Sequence, residues 1–576
     1  MPTSRLDPVL VALALATSLA GLVLFARLGP AWTFWTVDDA GKSLVVANLE
    51  HNPGSTSLEY PGRALDPDFR FFPQPIRGSE RYATLHDGRI VSQYLAPFPY
   101  LALPFAAVFG FIGLGLWPAL GAGAVVLLTG LLAAALGGSR RAGRLAAAIL
   151  LVSSPLLFYG SVFWEHSLTA ALAAAAFLAL ATPRPRPFVA GLLLGATCLL
   201  REETGLLLSA VVLVAMILRR RPDAARIAAG GLLGVAARGA FHWATSGSLV
   251  GVHGELNQSV PFEHVGDAAR DLLVGPGFSG IPDVAVLGAL LVLAAARSLP
   301  PRAALAPFAL GAVALAVVSV RGWLRFPGGE DSALALLKSN SAALFLPWAL
   351  AAPFLRGPSG GDAAPSRQTP HPAPSGGVPP ASENASPAHA AAAWRLLGGA
   401  SVLFVVFFVL LVPARSITGV HPGPRMLLPV LPLAAAVCAT RLSASRLAAL
   451  FLAPLLLAGA LWNLTSLELL HAKRALAGDL AAALAARPER IVVTDLFWLP
   501  TEMSSLWDRK TFYLVGTERE MRAFVARATA AGERTILAAT EPGQIPAAPV
   551  AAVHRDGLPS FSVDLQVLTL KTEAAP

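Results

Sequence analysis

The chain has 576 residues, of which 55% are hydrophobic and only 14% are charged, and its formal net charge is +9. About a quarter of the residues of a typical soluble domain are charged, so this composition excludes an ordinary soluble enzyme. The positive charge does not indicate a nucleic-acid partner, because the arginines are grouped in short segments between apolar runs, as in membrane proteins that follow the positive-inside rule.

Apolar runs of roughly 17–25 residues, long enough to cross a bilayer, recur along most of the chain. With the arginine clusters placed in the cytoplasm, they predict a polytopic α-helical membrane protein with about thirteen transmembrane helices, an inside N-terminus and an outside C-terminus. The first run is expected to be a retained span, since no clear small-residue cleavage site follows it. The predicted spans lie at 8–28, 118–137, 145–162, 167–182, 188–200, 204–218, 226–245, 281–297, 303–320, 341–356, 394–413, 425–440 and 447–464.

Composition divides the chain into a transmembrane domain at 1–465 and a small α/β domain at 466–576, which is expected outside the cytoplasm. The first outer loop, 30–93, is rich in turns and charges. It is followed at 94–115 by an apolar stretch with three prolines, which we interpret as an interfacial or re-entrant segment and which could instead cross. Residues 357–393 are rich in Pro, Ser, Gly and Ala and are expected to form a disordered cytoplasmic linker.

Two adjacent acids, Asp38 and Asp39, follow the first span in FWTVDDAGKSLVVANL. Placing a carboxylate so close to a bilayer costs free energy, so such residues are usually functional. One interpretation is a general base beside a cation that holds a phosphate, Lys42, which lies on the same helical face as Asp38. The alternative is a helix-capping acid with a surface ion pair between Asp38 and Lys42.

A second acidic site is Glu165-His166, at the end of an outward span in SPLLFYGSVFWEHSLTAAL. A second outer acid could orient an acceptor or hold a metal. The alternative is a polar pair at the membrane edge, with Trp164 as interfacial anchor and Ser167 as helix cap.

Basic residues at the same predicted surface could bind a lipid phosphate. Arg201-Glu202-Glu203 interrupts an apolar run of nearly thirty residues, and Arg425 begins a later span. A guanidinium fork suits phosphate, but a buried Arg201–Glu ion pair and a snorkelling Arg425 are the simpler alternatives. Arg238, inside a predicted span, and loop residues such as His253 are weaker candidates.

The order of these motifs resembles the GT-C superfamily of membrane glycosyltransferases, which includes protein mannosyltransferases and the lipid A aminoarabinose transferase. The resemblance is closest to an uncharacterised bacterial branch. It covers about 30–210 and 415–440 well and the C-terminal domain loosely. The matching segments are TVDDAGKSL, LHDGRIVSQYLAPFPYLALPF, SPLLFYGSVFWEHSLTAAL, LLREETGLLL and GPRMLLPVLPL.

The resemblance implies roles for the candidate residues Asp38, Asp39, Glu165, Arg201 and Arg425. Asp38 matches the first acid of the family pattern and would be the base, with Asp39 as the second catalytic candidate. The family often has Asp-Glu at this position and some relatives have Asp-x-Asp at the second acidic site, so the Asp-Asp and Glu-His found here leave dependence on Mg or Mn open. The residues expected to bind substrate are Lys42, Glu165, His166, Arg201, Glu203 and Arg425.

The implied activity is inverting transfer of a sugar from a polyprenyl-phosphate donor to a glycan, lipid or protein acceptor. It would take place at the outer face of the bacterial cytoplasmic membrane. A transporter or lipid-linked sugar flippase without transfer chemistry is the main alternative, but it explains the long first outer loop and the α/β domain less well. A scaffold for envelope-polysaccharide enzymes is the third possibility.

Overall fold

The structure is a computed structural model that describes residues 6–74, 82–137, 139–256, 265–274, 283–325, 341–354, 387–412, 421–444, 446–545, 549–554, 558 and 561–570. Most of the predicted linker at 357–393 therefore lies outside the described residues. Its last part, 387–393, belongs to a helix instead, since the alanine-rich sequence there favours helix over disorder.

The first half of the described chain is almost entirely helical. Its helices are α1 (Pro8–Arg27), α2 (Val37–His51), α3 (Pro97–Phe109), α4 (Phe111–Leu114), α5 (Leu116–Gly137), α6 (Arg140–Val152), α7 (Leu156–Gly160), α8 (His166–Ala181), α9 (Pro187–Leu200), α10 (Gly205–Ile217), α11 (Arg221–Ser246) and α12 (Gly251–Leu256).

Further helices follow. They are α13 (Val265–Leu273), α14 (Asp283–Ser298), α15 (Pro301–Arg325), α16 (Ala342–Phe345), α17 (Pro347–Ala351), α18 (Pro387–Leu411), α19 (Leu431–Ala444), α20 (Arg446–Ala485), α21 (Leu499–Glu502) and α22 (Glu518–Ala530). Short 3-10 segments lie at Pro61–Ala64, Glu202–Thr204, Ala352–Phe354, Arg425–Val430 and Ser504–Leu506.

Within the described residues, six helices are long and apolar enough to cross a membrane, so the chain is a polytopic membrane protein. They are Pro8–Arg27, Phe111–Gly137, Ala303–Leu324, Ala388–Leu411, Arg425–Ser443 and Ala449–Ala485. Shorter apolar helices lie at Pro97–Phe109, His166–Ala181, Pro187–Leu200 and Val284–Ser298. The count of thirteen crossings stays a prediction.

The proline-containing stretch at 94–115 is broken into α3 and α4 by Gly110, whose φ is +58°. With a rise of about 1.5 Å per residue, the thirteen residues of α3 extend roughly 20 Å. The hydrocarbon core of a bilayer is about 30 Å thick, so α3 alone is too short to cross it.

Helix α20 is longer than the predicted last span. Its 40 residues would extend about 60 Å, twice the thickness of a bilayer core. The predicted domain boundary at 465 thus falls inside a continuous helix. Arg474 in its second half donates from Nη1 to the carbonyl of Phe25 at 2.6 Å and from Nε to that of Thr33 at 3.1 Å. Because these carbonyls flank the end of α1, the long helix fixes the beginning of the first outer loop.

The described part of the chain after α20 contains a five-stranded sheet. Strands β3 (Ile491–Thr494), β4 (Thr511–Leu514) and β5 (Thr535–Thr540) are parallel, whereas β6 (Ala551–Val553) and β7 (Val563–Thr569) are antiparallel to their neighbours. Their order in the sheet is β4-β3-β5-β7-β6. A hairpin in the first outer loop pairs β1 (Ala83–His86) with β2 (Arg89–Ser92).

The first outer loop packs directly on this sheet. Phe71 is fully buried in one cluster with Tyr513 and Phe524, and its carbonyl accepts a hydrogen bond from the backbone of Leu514 at 2.9 Å. Arg527 of α22 also pairs with Asp68 of the loop at 2.6 Å. The α/β unit therefore shares its core with the loop that carries the two adjacent acids.

Candidate functional site

The two adjacent acids have different surroundings at the start of α2. Asp39 is 2% exposed, and its two carboxylate oxygens accept hydrogen bonds from the backbone N–H groups of Thr36 (2.7 Å) and Trp35 (2.9 Å). The Thr36 hydroxyl accepts from the backbone of Asp38 at 3.1 Å. This is a capping box, so Asp39 fixes the helix start and leaves Asp38 as the acid that faces a cavity.

The cavity has a volume of about 350 Å³. It lies at one end of the helix bundle, where α9 and α18 end and where the segment before α19 begins, and leucine side chains from these helices form an apolar wall. Six of the eight predicted site residues line it, namely Asp38, Lys42, Glu165, Arg201, Glu203 and Arg425. The other two, Asp39 and His166, do not.

Asp38 is held by two partners across the cavity. The Tyr94 hydroxyl donates to its Oδ1 at 3.1 Å, and Arg425 Nη1 lies 3.3 Å from its Oδ2. Burial alone would raise the pKa of this carboxyl, but the charges of Arg425 and Lys42 outweigh burial and hold the pKa below its ordinary value of 3.8. Asp38 is therefore a carboxylate at neutral pH, with a third of its side chain exposed.

Lys42 does not pair with Asp38, contrary to the simple capping interpretation. Its Nζ lies 2.8 Å from Glu165 Oε2, and Glu165 Oε1 receives Arg201 Nη1 at 2.9 Å. Arg201 also pairs with Glu203. All four of these side chains are largely buried, so Glu165 and Glu203 form one connected network with the two cations rather than separate surface pairs.

His166 contributes to this network from the first turn of α8. Arg201 Nη1 lies 2.9 Å from His166 Nε2; a guanidinium can only donate, so Nε2 accepts and the ring is neutral. The neighbouring Trp164 is fully buried and lies under the Arg425 guanidinium at 5.7 Å. It is therefore not an interfacial anchor. Ser167 does not cap the helix either, since its hydroxyl donates to the carbonyl of Pro118.

Arg425 is not a snorkelling residue. Only 10% of its side chain is exposed, and its Nε is buried without a hydrogen-bond partner among the described residues. A buried donor without a partner is costly. This guanidinium therefore has an unused donor beside the cavity.

The sequence analysis missed or undervalued several lining residues. Tyr94 belongs to the LHDGRIVSQYLAPFPYLALPF segment but was not singled out. Its ring occupies the space beside Gly41, where a Cβ would lie only 2.1 Å from it. Glu202 pairs with Arg238 and lies 2.6 Å from His253. The sequence gives no sign that these three residues are close, because they lie in separate segments that come together only in the folded protein.

The residues of the cavity do not fit a divalent metal ion. Among the described residues there is no group of three His, Cys, Asp or Glu side chains that could hold one. The carboxylates of Asp38 and Glu165 are each paired with cations, which would repel Mg²⁺ or Mn²⁺. Magnesium also needs near-octahedral oxygen ligands, which this set does not offer.

Comparison with solved structures finds likeness to two proteins. The ArnT of Cupriavidus metallidurans, crystallised with undecaprenyl phosphate, is 14% identical with a TM-score of 0.41, over 98% of this chain and 99% of that chain. The Archaeoglobus fulgidus oligosaccharyltransferase in its apo form is 13% identical with a TM-score of 0.45, over 92% of this chain and 69% of that chain. TM-scores of this size do not establish a common fold.

No known protein family and no curated protein matches the sequence.

Proposed function

We propose that this protein is a GT-C-type glycosyltransferase. It moves a sugar from a polyprenyl-phosphate donor to an acceptor hydroxyl at the outer face of a bacterial cytoplasmic membrane. The observation that carries the proposal is the meeting of an ionised, partly exposed acid, Asp38, with Lys42, Arg201 and Arg425 around one cavity that has an apolar wall. The resemblance of five sequence segments to the superfamily supports the same conclusion.

In this reaction the acceptor oxygen attacks the anomeric carbon of the donor sugar while Asp38 takes the acceptor proton. The bond between that carbon and the phosphate oxygen breaks, and its electron pair leaves with the polyprenyl phosphate. Arg425 and Arg201 stabilise the charge that develops on the departing phosphate. A single displacement inverts the anomeric centre.

Because Arg425 pairs with Asp38, binding of the donor phosphate also changes the basicity of Asp38. A phosphate that binds Arg425 competes with Asp38 for the same guanidinium, and the unused Nε of Arg425 offers it another donor. A carboxylate that loses a cation becomes a stronger base. Donor binding would then prepare Asp38 for proton transfer.

Binding of undecaprenyl phosphate to the purified protein in nanodiscs, measured by native mass spectrometry, tests the donor site. We expect Arg425→Gln to weaken binding about 10-fold or more, because a charge-assisted hydrogen bond contributes about 1.5–3 kcal/mol. Arg441→Gln, which alters an arginine at the end of α19, outside the cavity lining, is the control. Equal affinity of the two variants would rule out Arg425 as a phosphate ligand.

A further inference from the structure

The cavity has a second polar end that the transfer mechanism leaves unused. Glu202, Arg238, His242 and His253 line it, and they come from the segment after α9 and from α11 and α12. Both ends belong to one cavity of about 350 Å³. A ligand in the cavity can therefore contact both ends.

Three of these side chains hold one another in place. Glu202 Oε2 pairs with Arg238, and Glu202 Oε1 lies 2.6 Å from His253 Nδ1. Arg238 also donates from Nη1 to the carbonyl of Cys198 and from Nη2 to that of Val250, each at 3.3 Å. A cluster braced by backbone carbonyls on two sides is pre-organised rather than loosely solvated.

His242 provides an independent indication of a ligand. It is 5% exposed, it lines the same cavity, and its Nε2 is buried with no hydrogen-bond partner among the described residues. Its ring is fixed by edge contact with Phe241 and by Gly251, where a Cβ would lie 2.5 Å from Nδ1. A buried nitrogen without a partner costs about 1–3 kcal/mol, which a bound hydrogen-bonding group would recover.

We infer that Glu202, Arg238, His242 and His253 form a subsite for a hydroxyl-rich ring. This inference rests on the proposed transferase function. The Glu202 carboxylate pairs with both Arg238 and His253, so it offsets much of the positive charge that an anion would need, while the set offers both acceptors and donors. Each sugar hydroxyl can donate and accept, so it fits such a mixed set. The ring belongs either to the donor sugar or to a glycan acceptor.

The test compares His242→Phe, which keeps an aromatic ring and removes both nitrogens, with Thr245→Val. Thr245 lies on the same helix and donates its hydroxyl to the carbonyl of Phe241. Full-length proteins are purified from complemented deletion strains, and mass spectrometry quantifies both the envelope glycan product and the polyprenyl-phosphate lipids that co-purify. Glu202→Gln, an isosteric change, provides a second variant if His242→Phe does not fold.

We expect each subsite variant to reduce the glycan product about 10-fold or more relative to Thr245→Val. If the donor sugar occupies the subsite, the ratio of sugar-bearing to bare polyprenyl phosphate on the protein falls as well. If an acceptor occupies it, that ratio is retained while the product is lost. Product and lipid ratio that both stay within about twofold of Thr245→Val would overturn the subsite.

A strain that carries Asp38→Asn separates this result from the larger proposal. If that strain makes as much glycan product as wild type, the transferase proposal is contradicted, and the subsite proposal with it. Loss of product by Asp38→Asn but not by the subsite variants would overturn the subsite alone.

Discussion

Asp38 and Asp39 show how strongly position decides what a carboxylate does. Both carboxylate oxygens of Asp39 accept hydrogen bonds from backbone N–H groups. Asp38 instead lines the cavity, between a tyrosine hydroxyl and a guanidinium. The sequence resemblance ranks Asp38 first and Asp39 second as catalytic residue. The geometry supports that order and suggests a positioning role for Asp39.

The link between Arg425 and Asp38 predicts a shift in the pH profile. The low pKa of Asp38 keeps it ionised, and a base loses activity as pH falls through its pKa. Arg425→Gln removes a cation that lowers this pKa, so the acid limb of kcat/KM moves to higher pH, in addition to any loss of rate. An acid limb at the wild-type position in Arg425→Gln would show that this arginine does not act on Asp38.

Asp39 predicts a pH effect on stability. Burial is the main cause that raises its pKa from 3.8 to about 6, so the folded protein binds this proton more tightly than the unfolded chain does. The stabilisation that Asp39 contributes is complete below about pH 4 and is lost as pH rises through about 6. We therefore expect the thermal-unfolding temperature of wild type to decrease, relative to that of Asp39→Asn, as the pH is raised from about 4 to about 6. A constant difference between the two midpoints would contradict the assigned shift.

At the scale of elements, glycines let α9 and α11 approach until their backbones touch. A Cβ at Gly191 would lie 2.1 Å from the carbonyl oxygen of Ile227, and one at Gly234 would lie 2.2 Å from the backbone of Gly195. Small residues permit such close crossings in membrane proteins. Arg238 follows Gly234 by one helical turn, so this contact places it beside Glu202.

Gly195→Leu should therefore separate the two helices and withdraw Arg238 from its partners. We expect a lower thermal-unfolding midpoint and loss of activity. The new side chain would collide with backbone atoms of α11, which cannot move aside as a flexible side chain could. Gly398→Leu on α18 is the control, since a Cβ there meets no described atom within 4 Å. Similar midpoints for the two variants would refute the close crossing.

Sequence reasoning placed most residues of the candidate site at one surface but identified few of their partners; the buried Arg201–Glu ion pair, offered as an alternative, is present as Arg201–Glu203. The order of arginine clusters and the motif resemblance placed Asp38, Glu165, Arg201 and Arg425 at one surface, and these residues line one cavity. Spacing along a helix suggested an Asp38–Lys42 pair, because it reports only neighbours on the same helix. Lys42 instead contacts Glu165 of another segment, and such tertiary contacts leave no local pattern.

The same limit applied to His242. It lies in an apolar helix, and Arg238 is its only charged neighbour at helical spacing. Its position in the cavity wall, packed against Gly251, is seen only in the structure. The membrane helices were easier to predict, because apolar length alone identifies them. Breaks such as Gly110 and the extension of α20 depend on packing and were not predicted.

At the scale of the whole molecule, α20 joins the membrane helices to the sheet of the α/β unit. Lys473 on α20 and Glu502 on α21 form an ion pair in which both side chains are almost fully buried. The ammonium also lies 4.5 Å from the ring centre of Phe561 and 5.0 Å from that of Trp498. Burial is the main cause that raises the pKa of Glu502 from 4.5 to about 7.

Breaking this pair from one side should destabilise the protein. We expect Lys473→Met to cost about 3–5 kcal/mol, because it leaves a buried carboxyl without its cation. The double variant Lys473→Met/Glu502→Leu should recover most of the loss, because apolar replacement of both partners is often tolerated. Thermal-unfolding midpoints in detergent measure both effects. A double variant no more stable than the single one would contradict the assignment.

The arrangement of the whole molecule places the acid-bearing loop between the membrane helices and the α/β sheet. Phe71 packs on the sheet and Asp68 pairs with Arg527 of α22, and Arg474 attaches the beginning of the loop to α20. A loop held at both ends can present Asp38 at a fixed position relative to Arg425. A transporter that alternates between two open states would not require such a fixed acid.

The most direct test of the central claim is mass spectrometry of lipid-linked sugars and envelope glycans in a deletion strain complemented with wild type or Asp38→Asn. A general base contributes about 10²–10⁴-fold to rate. We therefore predict that the deletion loses a glycan modification and accumulates a polyprenyl-phosphate sugar, and that only wild type restores the modification although both proteins are present at equal levels. An unchanged glycan profile in the deletion strain, or full rescue by Asp38→Asn, would contradict the account and favour transport or scaffolding.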